Sequence, residues 1–253
     1  VGLPRVITDA VAARLAKEHG IERARVVFNS SHTHTGPVVR SNLSTMYNLT
    51  PEMDAKLDAY ARELTANLYM VAASALGQMK PANLRYAEGT AKFAINRRQG
   101  PAGSVKLGVN AKGPVDHTVP VLVATGEDGK PFAVLFGYTC HNTTLTGEHY
   151  LFSGDYAGFA QAELEQATPG ATALFMILCG ADQNPNPRST EEAARAHGHE
   201  LAESVRAAMA GHGTAVKGNL RAAYQTIQLQ FRPHTREDFE REARSTNRYE
   251  VNR

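Results

Sequence analysis

A β-hairpin predicted over residues 118–139 is the feature that most constrains how this chain folds. A valine-rich run over 118–124 is followed by a turn containing Gly126 and Gly129, and Pro131 opens a second apolar run. Two such runs joined by a short glycine-containing segment are typical of antiparallel strands. Residues 133–136 are apolar at every position, which predicts a strand buried on both faces. A barrel of eight parallel strands and helices has no place for this hairpin.

Helices and further strands are predicted on both sides of the hairpin. Amphipathic spacing and capping residues predict helices over 7–19, 50–79, 155–167, 189–209 and 235–245. Short apolar or alternating runs predict strands over 26–28, 84–89, 91–95, 171–178 and 218–231, with a glycine-rich loop over 99–115. The helix over 50–79 begins with Thr50 and Pro51, and its apolar spacing predicts that it packs on a sheet. We therefore predict an α/β fold with a mixed β-sheet core that contains hairpins and is covered by α-helices.

Composition excludes several classes of function. The 253 residues are 42% hydrophobic and 21% charged, as in an ordinary soluble protein. A net charge of +2 does not favour nucleic acid as a partner. No apolar run approaches the roughly 18 residues that a transmembrane helix needs. Two cysteines form no disulfide framework.

The segment Ser30-Ser31-His32-Thr33-His34-Thr35-Gly36-Pro37 follows the apolar run 26–28. In an extended backbone side chains alternate between faces, so His32 and His34 are expected to point the same way. Neutral imidazoles are metal ligands near pH 7, and two on one face can share one ion. The alternative is a polar strand end whose histidines are solvated or bonded to the backbone.

Polar residues follow three of the predicted strands, at the positions of His32 and His34, of His141 and of Asp182. Strand ends present loops on a rigid scaffold, so binding groups collect there. A third imidazole beside His32 and His34 would complete a zinc-type ligand set. For His141 the alternative is a histidine of the core or its rim, and for Asp182 a residue that forms a turn.

Other polar residues have both functional and structural interpretations. Arg97 and Arg98 follow a strand and suit a carbonyl or anionic group, although they could equally be solvated. Asp155 begins a helix, where it either caps the backbone or takes part in catalysis. The histidines of the helix over 189–209 and its end are predicted to lie on the surface and are assigned no role: His197, His199 and His212.

With these segments in hand, the sequence resembles the N-terminal domain of the neutral/alkaline, non-lysosomal ceramidases. The segments that carry the resemblance span roughly residues 20–190, in the family's order: Ser31-His32-Thr33-His34-Thr35-Gly36-Pro37, Asn96-Arg97-Arg98, Tyr138-Thr139-Cys140-His141-Asn142-Thr143, Ser153-Gly154-Asp155-Tyr156-Ala157-Gly158 and Gly180-Ala181-Asp182-Gln183-Asn184-Pro185-Asn186.

The resemblance implies a zinc-dependent hydrolase that cleaves the N-acyl amide bond of ceramide or of a related lipid or small-molecule substrate. It implies that His32 and His141 are ligands of Zn²⁺, that His34 lines the site, and that a Glu and a Tyr beyond Arg253 complete the coordination. We accordingly expect residues 1–253 to be a single catalytic domain that is incomplete at both ends. The resemblance also implies a secreted or periplasmic location.

The sequence departs from the family at Asn184, where characterised ceramidases carry a serine proposed to be catalytic. An amide donates hydrogen bonds but is no nucleophile, so the departure bears on the substrate more than on metal-dependent hydrolysis. The expected catalytic residues are His34, Arg97, Asn184 and Asp182, with the first three as candidate donors to the oxyanion. The alternatives are a metal hydrolase of the amidohydrolase barrel type and a non-catalytic lipid- or glycan-binding relative.

Overall fold

The computed structural model describes residues 2–40, 42–43, 46–101, 104–230 and 233–246, and the chain forms two compact units. The unit made of residues 1–2, 29–37 and 79–219 contains both β-sheets and is called here the sheet unit. The unit made of residues 3–28, 38–78 and 220–253 is called the helical unit.

The helices and strands lie close to most of the predicted positions. The helices of the described residues are α1 (Arg5–His19), α2 (Pro51–Gly77), α3 (Asp155–Ala167), α4 (Glu191–Ala210) and α5 (Arg236–Ala243). The strands are β1 (Asn83–Thr90), β2 (Ala94–Gln99), β3 (Lys106–Asn110), β4 (Thr118–Thr125), β5 (Pro131–Tyr138), β6 (Thr172–Ile177), β7 (Gln183–Pro185) and β8 (Thr214–Ala215).

The sheet unit is built on a five-stranded sheet in the order β6-β5-β4-β1-β8. The predicted hairpin is confirmed, because β4 and β5 pair antiparallel with Val121 opposite Phe136. Only the pair β5–β6 is parallel within this sheet, so the sheet is mixed. A second, antiparallel sheet has the order β3-β2-β7. These sheets confirm the α/β fold class, and they are not the parallel barrel of an amidohydrolase.

The core of the sheet unit lies between one face of the five-stranded sheet and the helices α3 and α4. Val121 and Phe136 from the sheet and Tyr156 and Leu201 from the helices are at most 1% exposed. Full burial of each such side chain contributes about 1.5–3 kcal/mol to stability. The two helices approach closely at Gly198, where an added Cβ would lie 2.6 Å from the Cβ of Phe159.

The helical unit confirms the predicted start of α2 but not its predicted partner. Thr50 caps α2, since its Oγ1 accepts a hydrogen bond from the Met53 backbone N–H at 3.3 Å. The buried residue of α2, Tyr69, packs with Val11 and Leu15 of α1, so within this unit the long helix lies on a helix rather than on a sheet. Across the described residues, no helix has the length and apolar character required to cross a membrane.

Two strand predictions and one loop prediction were wrong. Residues 26–28 form no strand, and Val27 is 75% exposed. The strand predicted over 218–231 does not form either: residues 218–230 are exposed and irregular, and residue 231 lies outside the described residues. The predicted loop over 99–115 contains β3, which is stabilised by antiparallel pairing with β2 despite its glycine-rich surroundings.

The strand predicted over 171–178 is confirmed as β6, and it is only partly buried. It lies at the edge of the five-stranded sheet, where Ala173 is buried and Leu174 is 48% exposed. An edge strand has a neighbour on one side only, so its apolar residues are not all enclosed.

Candidate metal centre and adjoining cavity

His32 and His34 come together on an irregular loop, not on a strand as predicted. His32 has a left-handed backbone conformation with φ of 61°, which turns the chain so that the two side chains converge. Their Nε2 atoms are 3.4 Å apart. The two side chains therefore do lie on one side of the chain, as expected. The cause is the turn at His32 and not the alternation of side chains along a strand.

Hydrogen bonds within the sheet unit hold this loop in place. The side chain of Asn29 pairs with the backbone of Ile177 through both its amide oxygen and nitrogen, each at 3.1 Å, as a neighbouring strand would. The hydroxyls of Thr33 and Thr35 both donate to the carbonyl of Ser153, at 2.9 and 3.0 Å. The loop that carries the histidines is thus fixed to the end of β6 and to the segment before α3.

His141 follows β5 after Thr139 and Cys140, and hydrogen bonds to Gly180 and Gln183 orient it. Its Nδ1 lies 2.7 Å from the carbonyl oxygen of Gly180, and its backbone N–H donates to the carbonyl of Gln183 at 3.0 Å. A carbonyl accepts only, so Nδ1 carries the proton and Nε2 presents a lone pair. This contact sets the tautomer of a histidine that can bind a metal through Nε2.

The three imidazoles form one cluster. The ring centroids of His32 and His141 are 4.7 Å apart, as expected for two ligands of one ion, and those of His34 and His141 are 6.2 Å apart. One nitrogen from each ring lies within 4.8 Å of the others. Nitrogens bound to tetrahedral zinc at 2.0–2.1 Å are about 3.4 Å apart, which is the separation of the Nε2 atoms of His32 and His34, and the three rings together could hold a metal ion.

The electrostatics of the cluster favour neutral imidazoles. Partial desolvation, and then the neighbouring imidazoles of His32 and His141, lower the pKa of His34 from 6.5 to about 4. Desolvation likewise lowers the pKa of His141, although its hydrogen bond to Gly180 acts in the opposite direction. Neutral histidine is the form that ligates metals, and the lowered pKa values keep the imidazoles of His34 and His141 neutral near pH 7.

A cavity of about 370 Å³ adjoins the cluster and contains three of the predicted catalytic residues, His34, Arg97 and Asn184. Arg97 lies on β2 and Asn184 on the neighbouring β7. The guanidinium of Arg97 donates to the carbonyl of Ala181 at 3.0 Å and to Oδ1 of Asn184 at 3.3 Å. Because Oδ1 of Asn184 accepts from Arg97, its amide nitrogen remains a donor for a ligand.

Asp182 is not brought into this cavity. It lies in the turn before β7, and its carboxylate accepts a hydrogen bond from the Asn96 side chain at 3.3 Å. Its carbonyl accepts from the Arg97 backbone N–H at 2.7 Å. These contacts match the interpretation of Asp182 as a residue that shapes the turn and places β2 against β7.

Two residues of the cavity were missed in the sequence, Thr143 and Arg188. The Nε of Arg188 donates to the carbonyl of Thr143 at 2.9 Å. Thr143 lies two positions after His141, and this proximity in the sequence could have identified it as a residue of the site. Arg188 follows a proline-rich turn, and nothing in the sequence links it to the histidines.

Asp155 supports the site structurally. It is fully buried with φ of 53°, and its carboxylate accepts from the backbone N–H groups of Leu145 and Tyr156 at 2.8 and 2.7 Å. It therefore fixes the segment after His141 to the start of α3. It is not the predicted cap, because the N-cap residue of α3 is Gly154 and no side chain caps the helix.

The prediction that His197 is exposed was wrong. His197 is 4% exposed, stacks on Phe93 at 4.5 Å and has its Nε2 2.8 Å from the carbonyl of Pro187. His199 and His212 are exposed as predicted. His197 thus packs against the core residue Phe93, outside the cluster of His32, His34 and His141.

Comparison with known proteins identifies the fold. No protein-family model and no curated protein sequence matches the chain. Solved structures that match include two that cover 86% of the chain with a TM-score of 0.65: a neutral ceramidase from Pseudomonas aeruginosa at 21% identity and a ceramidase complexed with C2 at 20%. The chain spans 36% of the length of each. The resemblance to the neutral ceramidases is thereby confirmed at the level of the fold.

Proposed function

We propose that the protein is a zinc-dependent hydrolase that cleaves N-acyl amide bonds. The observation that carries this proposal is the convergence of His32, His34 and His141 beside a cavity that contains Arg97 and Asn184. The fold shared with neutral ceramidases supports the same reaction class, and ceramide or a related lipid amide is the corresponding substrate.

His32 and His141 would hold the metal. The hydrogen bond from His141 Nδ1 to Gly180 fixes the ring that presents Nε2, and the loop contacts of Thr33 and Thr35 fix His32. When bound, zinc supplies Lewis acidity and makes water a nucleophile near neutral pH. A tetrahedral zinc takes further ligands besides these two histidines.

Three residues of the cavity, His34, Arg97 and Asn184, carry out the other tasks of amide hydrolysis. Water oxygen adds to the carbonyl carbon, the C–N bond breaks, and the products are a carboxylate and a protonated amine. Asn184 and Arg97 donate hydrogen bonds to the oxyanion that develops on the carbonyl oxygen. His34 is neutral near pH 7 because of its lowered pKa, so a ring nitrogen can accept the proton of water and deliver it to the leaving amine.

Metal removal and histidine replacement test this function. The full-length protein is assayed with N-acyl sphingosine and N-acyl ethanolamine before chelation, after chelation and after addition of zinc. We expect hydrolysis to disappear on chelation and to return with zinc. The His141→Ala variant should be inactive, whereas His212→Ala, an exposed histidine outside the cluster, should match the wild type.

The same assay separates catalysis from binding alone. A full-length protein that hydrolyses no amide with or without zinc, yet binds the N-acyl lipids, would be a binding protein with this fold. Equal activity of the His141→Ala and wild-type proteins would reject the metal centre.

A further inference from the structure

The cavity beside the histidines carries positive charge that is not neutralised. Arg97 and Arg188 both line it, and no acidic side chain does. Among the described residues, no carboxylate lies within ion-pairing distance of either guanidinium. Arg40 in the helical unit shows the contrast, since it pairs with both Asp54 and Asp58. Two arginines without a counterion in one cavity indicate a site for an anion.

The pKa of Arg97 is lowered by desolvation and then by the positive charges of Arg98 and Arg188. Asp182 partly offsets this effect. The carboxylate of Asp182 is bonded to Asn96 and does not line the cavity. A negatively charged ligand would therefore relieve repulsion that the protein itself leaves in place.

Arg188 and Thr143 form a fixed corner of the cavity. The Nε of Arg188 donates to the carbonyl of Thr143, so the guanidinium is held at one edge while its terminal N–H groups remain donors. Thr143 is 5% exposed, and its hydroxyl has no hydrogen-bond partner within the described part of the chain. A buried hydroxyl without a partner is unfavourable, so the protein itself does not satisfy every polar group of this corner.

Another part of the cavity wall is apolar. Ile95 of β2, Leu107 and Val109 of β3 and Pro185 of β7 contribute it. Leu107 and Val109 are 67% and 54% exposed, so an alkyl chain laid along them would remove apolar surface from water. The cavity therefore suits a molecule with an apolar chain and an anionic group.

We propose that the substrate is an N-acyl amide whose amine portion carries an anionic group, bound by the Arg188 guanidinium at the corner that it forms with Thr143. This inference rests on the proposed amide hydrolase function and specifies its substrate class. The apolar wall takes the acyl chain, His34 and Asn184 lie at the scissile amide, and Arg97 adds positive potential. Hydrolysis of such a substrate releases a fatty carboxylate and an amine that retains the anionic group, as in an amino acid.

Matched substrates test the charge directly. The zinc-loaded full-length enzyme is given N-lauroylethanolamine, which is neutral, and three anionic counterparts: N-lauroylglycine, N-lauroyltaurine and N-lauroyl phosphoethanolamine. We expect kcat/KM to be about 10- to 100-fold higher for at least one anion, the factor that charge-assisted hydrogen bonds supply. The three anions distinguish carboxylate, sulfonate and phosphate. Equal or faster hydrolysis of the neutral amide would overturn the inference.

Replacing Arg188 locates the anion site. Arg188→Gln should lower kcat/KM about 10- to 100-fold for the preferred anion and leave the neutral amide within about twofold. Arg188→Lys should recover part of the loss, because it restores the charge without the planar fork. The control is Arg195→Gln, an α4 residue outside the cavity that pairs with Glu191. An equal effect of Arg188→Gln on both substrates would overturn the inference.

Calorimetry on the chelated full-length protein tests the anion site independently of catalysis. If no amide is hydrolysed, the proposed hydrolase function fails, but the binding measurement still decides whether the anion site exists. N-lauroylglycine, or the preferred anion, should bind more tightly than N-lauroylethanolamine, and Arg188→Gln should remove that difference. Equal binding of anionic and neutral amides to the wild type would reject the anion site whatever the activity.

Discussion

The imidazole Nδ1 of His141 lies 2.7 Å from the carbonyl oxygen of Gly180, and this contact orients the candidate metal ligand. Gly180 itself approaches the chain beside His141 so closely that an added Cβ would lie 2.5 Å from the backbone nitrogen of Cys140. The absence of a side chain at position 180 is thus what allows the carbonyl to reach the ring.

The first prediction follows from that approach. Gly180→Ala should displace the carbonyl and weaken zinc binding by the full-length protein about 10- to 100-fold, the usual cost of losing such an orienting contact. Competition with a chromophoric chelator measures the affinity. Gly158→Ala is the control, because a Cβ there meets no atom within 4 Å, and helix propensity favours alanine. Unchanged affinity in Gly180→Ala would show that the contact does not orient His141.

The second prediction separates the roles of the three histidines. His32→Ala and His141→Ala should each lose zinc during dialysis, since each removes a proposed ligand. His34→Ala should keep zinc but lose turnover, because His34 is assigned to proton transfer. Metal analysis of the dialysed variants, together with amide hydrolysis, measures both properties. Loss of zinc from His34→Ala would make His34 a ligand, as its 3.4 Å distance from His32 also permits.

The third prediction concerns Asn184. If its amide donates to the oxyanion, Asn184→Ala in the full-length enzyme should lower kcat roughly 10²- to 10³-fold. Asn184→Ser should retain part of the activity, since a hydroxyl is also a donor. Circular dichroism and thermal unfolding establish that both variants are folded. A folded Asn184→Ala protein with unchanged kcat would leave Arg97 as the donor.

The fourth prediction is a pH dependence of the metal-free protein. The folded-state pKa of His34 is about 4 and its ordinary value is 6.5, so the unfolded chain binds more protons between these values. Stability should therefore fall as pH decreases from 6.5 toward 4 and should not depend on this group above 6.5. The lowered pKa of His141 acts in the same direction.

Denaturant unfolding in the presence of a chelator, at several pH values across that interval, measures this slope. His34→Gln should make it shallower, because one of the two groups no longer titrates. An identical slope in the variant would contradict the lowered pKa of His34.

Local sequence signals predicted the elements that pair or pack with their chain neighbours. The hairpin β4–β5 and the helix α3 were placed almost residue for residue, since turn glycines and amphipathic spacing act locally. Val26–Phe28 has the composition of a strand but no strand to pair with, and Val27 stays exposed. β3 was missed because its stability comes from pairing with β2, where Asn96 lies opposite Asn110.

In the candidate site, too, local features could be predicted and contacts between distant segments could not. His32, His34 and His141 could be selected as candidate ligands from residue type, although the strand predicted before His32 does not form and the turn at His32 that joins the pair was not predicted. Thr143 and Arg188 could not be identified as one corner, because their contact depends on how the chain turns between β7 and α4. Asp182 was assigned to catalysis by resemblance, whereas its side chain faces Asn96.

Zinc K-edge absorption spectroscopy of the full-length protein tests the central claim, a zinc ion held by His32 and His141, most directly. We predict about one zinc per chain, with nitrogen and oxygen ligands at about 2.0–2.1 Å and the outer-shell scattering of two imidazoles. In His141→Ala, zinc should be lost or the scattering should fall to one imidazole. A wild-type protein that retains no zinc, or whose zinc shows no imidazole scattering, would contradict the account.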